Sequence, residues 1–289
     1  MKIVNIIGGL GNQMFQYAFY LALKEKYHNE KIKICTLAFN GYGKHNNYEL
    51  DDIFGVCAEK ATIKDLYTIA YPYIHYKLWQ IGFHLLPYRK TMFKEKVFGR
   101  YYSEVFNFHK DCFFDGYWQN EQYFARIREI LLKVFTMKMI DNHNNNIAQR
   151  IKSTNSVSIH VRRGDFSDNP LYKGICDLDY YRKAIDIIRK IVLIDKFYIF
   201  SNNTEWCRKH IIPLLGNIDY TIIDWNRGRD SYKDMFLMSN CKHNIIANST
   251  FSWWGAWLNQ HPEKIVIGPN QWINIDNHEF TLPKEWIKI

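Results

Sequence analysis

The chain lacks paired cysteines. Its six, at positions 35, 57, 112, 176, 207 and 241, form no CxxC and no cysteine–histidine spacing that suits zinc. Zinc ribbons and disulfide scaffolds are thereby excluded, and the spread of thiols predicts a reduced, cytosolic protein. It lacks long apolar runs. The opening MKIVNIIGGLGNQ breaks at its glycines too soon for a signal peptide or a membrane anchor, so the expected location is the cytoplasm. It lacks an acidic excess. Net charge is +9, which favours anionic partners such as nucleotides or a phospholipid surface and leaves open peripheral contact at the inner face of the plasma membrane. The basic residues are scattered, with no arm or finger spacing, so nucleic acid is not an expected partner. Internal repeats and low-complexity tracts are absent as well.

What is present is a globular composition: 47% hydrophobic and 23% charged residues over 289 positions, room for two domains or one large one. Aromatic residues reach 17%, most of them expected in cores. KIVNII (2–7) reads as a buried strand, followed by Gly8-Gly9-Leu10-Gly11 and a helix from Asn12 to about Tyr27. Such a turn lets a ligand approach the backbone or serves close packing. It is not the dinucleotide fingerprint, because Met14 stands where the third glycine belongs. Strands are expected at 32–38 and 113–119, short helices among the aromatics of 61–110, and one amphipathic helix from Glu121 to about Lys138. The asparagines at 142 and 144–146 read as a loop. The domain boundary is placed there, giving 1–145 and 146–289. Beyond it, strands at 157–161, 196–200, 220–224, 243–247 and 264–268 alternate with helices at about 179–193, 204–215, 230–240 and 250–260. This is an α/β pattern with a parallel sheet.

Three strand ends in the second half are polar, where a parallel sheet holds its ligand. The first is Arg162-Arg163-Gly164-Asp165, two guanidiniums whose planar forks match phosphate oxygens. A salt-bridged surface turn is the other reading. The second is Ser201-Asn202-Asn203. The third is Asn248-Ser249-Thr250-Phe251-Ser252, where small hydroxyl residues open a helix, cap it and present an anion site. Asp177-Leu178-Asp179 is a literal DxD of the kind that binds divalent metal. Asp179, just before a helix, is more simply its N-cap.

GGLGNQMFQYA (8–18), GYWQNEQYF (116–124), HVRRGDF (160–166), FSNNTEW (200–206), DMFLMSNCKHNIIANSTFSWWGAWLN (234–259) and LPKEWI (282–287) together resemble glycosyltransferase family 11, the α-1,2-fucosyltransferases, in a bacterial form. The resemblance spans nearly the whole chain and keeps motif order. It implies a GT-B-type α/β fold, two Rossmann-like domains facing across a cleft, with the acceptor on the N-terminal side and the donor on the C-terminal side. It implies GDP-fucose as donor, a galactose-terminated oligosaccharide as acceptor at its 2-hydroxyl, inversion at the sugar carbon, and no metal or other cofactor. Residue by residue, Arg162 matches the arginine that grips the β-phosphate, with Arg163 and Asp165 in the same motif. Asn12, between Gly11 and Gln13, matches the asparagine that faces the donor phosphate or fucose. His160 positions the arginines from the strand. Ser249, Thr250 and Ser252 contact phosphate. Ser201 and Asn203 lie near guanine or ribose, where relatives often carry an acid, and Asp224 and Glu205 are the alternatives. Asp165 is the candidate base for a single displacement, or else the salt-bridge partner of an arginine.

Overall fold

The computed structural model describes residues 1–289, the side chains of Asp165 and Ser167 excepted. The chain divides into two compact units: Met1–Lys138 with Asn277–Phe280, and Met139–Asp276 with Thr281–Ile289.

The first unit is built on four parallel strands, β1 (Lys2–Asn5), β2 (Ile32–Cys35), β3 (Met92–Lys94) and β4 (Cys112–Asp115), in the order β2-β1-β4-β3. Ile3, Val4, Phe113 and Phe114 are fully buried, as strands covered on both faces require. Helix α1 (Leu10–Lys26) lies over this sheet with most of its length buried, and its ring of Phe19 stacks 4.2 Å from Trp118. Lys24 and Lys26 in its last turn complement the helix dipole. Short helices follow: α2 (Leu50–Phe54), α3 (Ile63–Ile69), α4 (Tyr76–Leu85) and α5 (Arg128–Val134). The single helix expected from Glu121 is instead two 3-10 turns, Glu121–Tyr123 and Ala125–Ile127, and then α5. Asn120 caps the first turn through Gln122 N, and the Tyr123 hydroxyl is bound between Tyr102 N and Arg100 O. These tertiary bonds hold the turns apart from one common axis.

The second unit holds six parallel strands, β5 (Ser156–Val161), β6 (Lys196–Ser201), β7 (Asp219–Ile223), β8 (His243–Ile245), β9 (Val266–Gly268) and β10 (Ile287–Lys288). Their order, β10-β9-β8-β5-β6-β7, is that of a doubly wound nucleotide-binding sheet. The chain leaves β5 towards β6 and β7, then returns to its other side at β8. The pairings Ile159↔Ile199 and Ile159↔Ile245 put the direction switch between β5 and β8. Helix α6 (Asn142–Lys152) precedes the sheet. The asparagine run expected as a loop is its first turns, because Asp141 caps Asn144 N and the buried Asn144 amide pairs with Asn226. Helices α7 (Asp165–Asp168), α8 (Leu178–Ile191), α9 (Thr204–Trp206, continuing through π and 3-10 turns to Leu215), α10 (Tyr232–Asn240) and α11 (Thr250–Leu258) complete the alternation. Tyr181, Ala184, Ile185 and Ile188 form one buried stripe of α8.

Candidate functional site

The carboxyl edge of the second sheet carries the first group of residues. β5 ends at Val161 and leads into Arg162 and Arg163, and Gly164, with φ of 64°, turns the chain into α7. The Arg163 peptide is held from β6: Asn202 accepts from Arg163 N and donates to Arg163 O, both at 2.8 Å. The Arg163 guanidinium lies 4.5 Å from the ring centre of Trp206, and that of Arg162 lies 5.2 Å from Phe166. Both arginines line a concavity with Phe166, Tyr172, Gly174, Cys176 and Asn248. Arg162 follows β5 and Asn248 follows β8, so the concavity sits at the direction switch, the crevice where such sheets bind ligands.

His160 is in the strand interior, as expected, and buried. Its ring is 5.9 Å from that of Phe251, and its Nδ1 has no hydrogen-bond partner among the described residues. Burial, and secondarily the charge of Arg162, pushes its pKa down to about 3, so the imidazole is neutral at ordinary pH. The Tyr181 hydroxyl donates to the His160 carbonyl at 3.0 Å.

The polar turns differ in part from expectation. The N-cap of α11 is Ser249, but its side chain makes no cap bond. Ser252 is fully buried and its hydroxyl donates to Ala247 O and Ser249 O, so its proton is committed to the fold. Thr250 is the partly exposed member of the group. Ser201 Oγ accepts from Asn203 N, and Asn203 Oδ1 caps α9 by accepting from Trp206 N at 3.0 Å. The Asn203 amide oxygen is thus spent on the fold. Of the two alternatives, Asp224 lies 3.4 Å from Arg208, and Glu205 is in the first turn of α9. In the DxD, the cap of α8 is Asp177, which accepts from Tyr180 N, and not Asp179. Asp179 is the second residue of the helix and pairs with Arg182 and Lys183. The side chain of Asp165 lies outside the described residues.

The glycine turn of the first unit is a second group. Gly8 has φ of 95°, and a Cβ there would fall 2.7 Å from Asn12 Nδ2. Asn12 is partly exposed in the first turn of α1, and its Oδ1 accepts from Gln119 Nε2 at 3.0 Å. Gly11 beside it is buried. Gln13, expected to touch substrate, is fully buried. It donates to Gly8 O and Asn47 O and accepts from Glu49 N, so it staples the turn. Gln16 does the same between Ile7 N and Gly116 O.

Two residues that carry this geometry were not singled out from the sequence. One is Asn202, legible only as part of a polar triplet. The other is Glu95, which follows β3 and accepts from Tyr117 N (2.7 Å) and Trp118 N (3.2 Å). That grip orders the turn that presents Gln119 to Asn12. Burial pushes the Glu95 carboxyl up to about 7 despite those N–H groups.

The chain is 31% identical over 298 residues to an α-1,2-colitosyltransferase of Escherichia coli, covering 99% of this chain and 98% of the relative. It is 27% identical over 274 residues to galactoside α-(1,2)-fucosyltransferase 2 of Mus musculus, covering 88% and 67%. In fold it is similar to a mutant of Arabidopsis thaliana FUT1 solved in complex with GDP. There the TM-score is 0.51 at 11% identity, covering 92% of this chain and 69% of that one. The fold is α/β of the GT-B type, as the motifs implied. The model of the family described as glycosyl transferase family 11 matches residues 1–289, and the chain belongs to that family of glycosyltransferases.

Proposed function

We propose that the chain is an inverting α-1,2-fucosyltransferase that moves L-fucose from GDP-fucose to the 2-hydroxyl of a terminal galactose. The observation that carries this reading is the cationic edge at the direction switch of the second sheet, where Arg162 and Arg163 line one concavity with Asn248. Breaking the sugar–phosphate bond leaves negative charge on GDP, and fixed positive groups that meet it lower the barrier. Arg162 is the group assigned to the β-phosphate. Arg163 is held on Trp206 and through its peptide on Asn202, which keeps the pair from folding away. The helix start at Ser249 and Thr250, closed by no serine cap bond, supplies N–H groups and the positive end of a dipole. On this reading the phosphates need no divalent cation; Asp177 and Asp179 are engaged by α8 itself. Asn12, whose amide oxygen accepts from Gln119, is included as a donor-contacting residue on the family resemblance. Asp165, by chain position, is the base for the acceptor hydroxyl.

The colitosyltransferase relative favours a second donor reading, since colitose is fucose without its 3-hydroxyl. A site that hydrogen-bonds that hydroxyl rejects the deoxy sugar by roughly 10⁴-fold, whereas one that does not will accept both. The test is to offer GDP-fucose and GDP-colitose with a panel of galactose-terminated acceptors and to determine the linkage formed. Fucose on the galactose 2-hydroxyl is the expected product. Transfer from GDP-colitose alone reassigns the donor, and binding without turnover of either would make the chain a non-catalytic nucleotide-sugar binder.

A further inference from the structure

Helix α4 of the first unit has two unlike faces. Tyr76, Trp79 and Phe83 form an aromatic inner face, with Tyr76 against Tyr42 at 4.9 Å and Trp79 against Phe83 at 5.3 Å. Gly82 lets the helix approach closely, because a Cβ there would fall 2.3 Å from the Tyr73 ring. The outer face is aliphatic and open: Leu78 is 48%, Ile81 55% and Leu85 77% exposed, in helical register, and Ile74 and Leu86 extend the stripe at its ends.

The exposed charge carried by the stripe's own segment is of one sign, and a carboxylate that touches α4, Asp115, is buried under the inner face, where it accepts from Trp79 Nε1. Residues 66–94 contain no Asp or Glu and carry Lys77, Arg89, Lys90 and Lys94. Arg89 is tied to the carbonyls of Tyr67 and Ala70 at the end of α3, and Lys94 sits 3.6 Å over the Phe83 ring. Lys77 and Lys90 are exposed and make no ion pair among the described residues. An exposed aliphatic stripe beside unpaired cations matches one kind of surface, hydrocarbon beneath anionic headgroups. Sugars select aromatic faces with hydrogen-bonding neighbours, and here the aromatics point inward. A second copy of the same face would bring like charges together. No helix among the described residues is long and apolar enough to cross a membrane, so attachment of this kind is in-plane.

We infer that the outer face of α4, with Lys77 and Lys90, docks the protein onto an anionic lipid surface. The experiment is co-sedimentation of the full chain with vesicles of phosphatidylcholine alone, and of phosphatidylcholine with about 30% phosphatidylglycerol, at low and high salt. Two variants accompany it: Leu78→Ser with Leu85→Ser, and Lys77→Gln with Lys90→Gln. All four side chains are exposed, and an unchanged unfolding midpoint verifies that each variant is folded. The wild type is expected to sediment with the anionic vesicles in a salt-sensitive way. The leucine variant should lose about tenfold or more in partitioning, and the lysine variant should lose the preference for anionic lipid. Absent or charge-independent binding, or binding kept by the leucine variant, overturns the inference. So does a wild-type dimer in sedimentation velocity that the leucine variant abolishes, which would make the face a protein interface.

Discussion

Arg162 bears the heaviest chemical assignment of any residue here. It is half-buried, stacked on Phe166 and placed at the mouth of the concavity. Replacing it with alanine should lower kcat by about 10²–10³-fold, the effect of removing one fixed donor from a developing anion. The unfolding midpoint should stay where it is. Lysine should restore only part of the loss, because a point charge cannot reproduce the planar fork. Turnover near normal in the alanine variant would remove Arg162 from the reaction. Glu95 makes a different prediction, about pH. Its carboxyl is raised from 4.5 to about 7 in the folded state by burial, so between those values the folded protein holds a proton that the unfolded chain has lost. Stability from this group is therefore greatest below pH 4.5 and is lost as pH rises through 7, by up to about 3 kcal/mol. Denaturant unfolding of Glu95→Gln should show the wild type losing ground to the variant over that window. Parallel curves would show that the carboxyl titrates normally.

At the scale of the element, the start of α8 separates capping from metal binding. Asp177 accepts from Tyr180 N and closes the first turn, while Asp179 is exposed and its carboxyl is held below the ordinary range by Lys183 and then Arg182. Asp177→Ala should destabilise the protein by about 1 kcal/mol, the usual loss of an N-cap, with kcat unchanged. Asp179→Asn should be close to neutral in both. Full transfer in the presence of a chelator is expected of the wild type. Dependence on added magnesium or manganese, lost in either variant, would return this pair to the reaction. The capped start of α8 contrasts with α11, where Ser249 leaves the corresponding bond unmade. Helix starts that look alike in sequence thus differ in whether a side chain closes them.

At the scale of the whole molecule, the α/β character and the parallel sheet of the second half follow from hydrophobic period alone. Five strands and the helices between them were legible to within a few residues, because burial on both faces imposes apolar runs whatever the chain packs against. The resemblance of six separate strings located the family. The strand order was not legible. It placed Arg162 and Asn248 on either side of one switch point, from positions 86 residues apart in the chain. Within the candidate site, residue type told which groups can meet an anion but not which way they turn. Ser252 and Gln13 look like ligand contacts in sequence and are spent on carbonyls and an N–H in space. Glu95 drew no notice, and Asn202 was only one of three polar neighbours, yet each fixes a turn that carries a candidate residue. Periodicity and capping preference are properties of neighbours along the chain, so the sequence by itself determined the elements and the family. A hydrogen bond such as Gln119 to Asn12 joins residues 107 apart, and only the tertiary structure, by bringing β4 beside β1, decided which polar side chains hold the site and which are left to face a substrate.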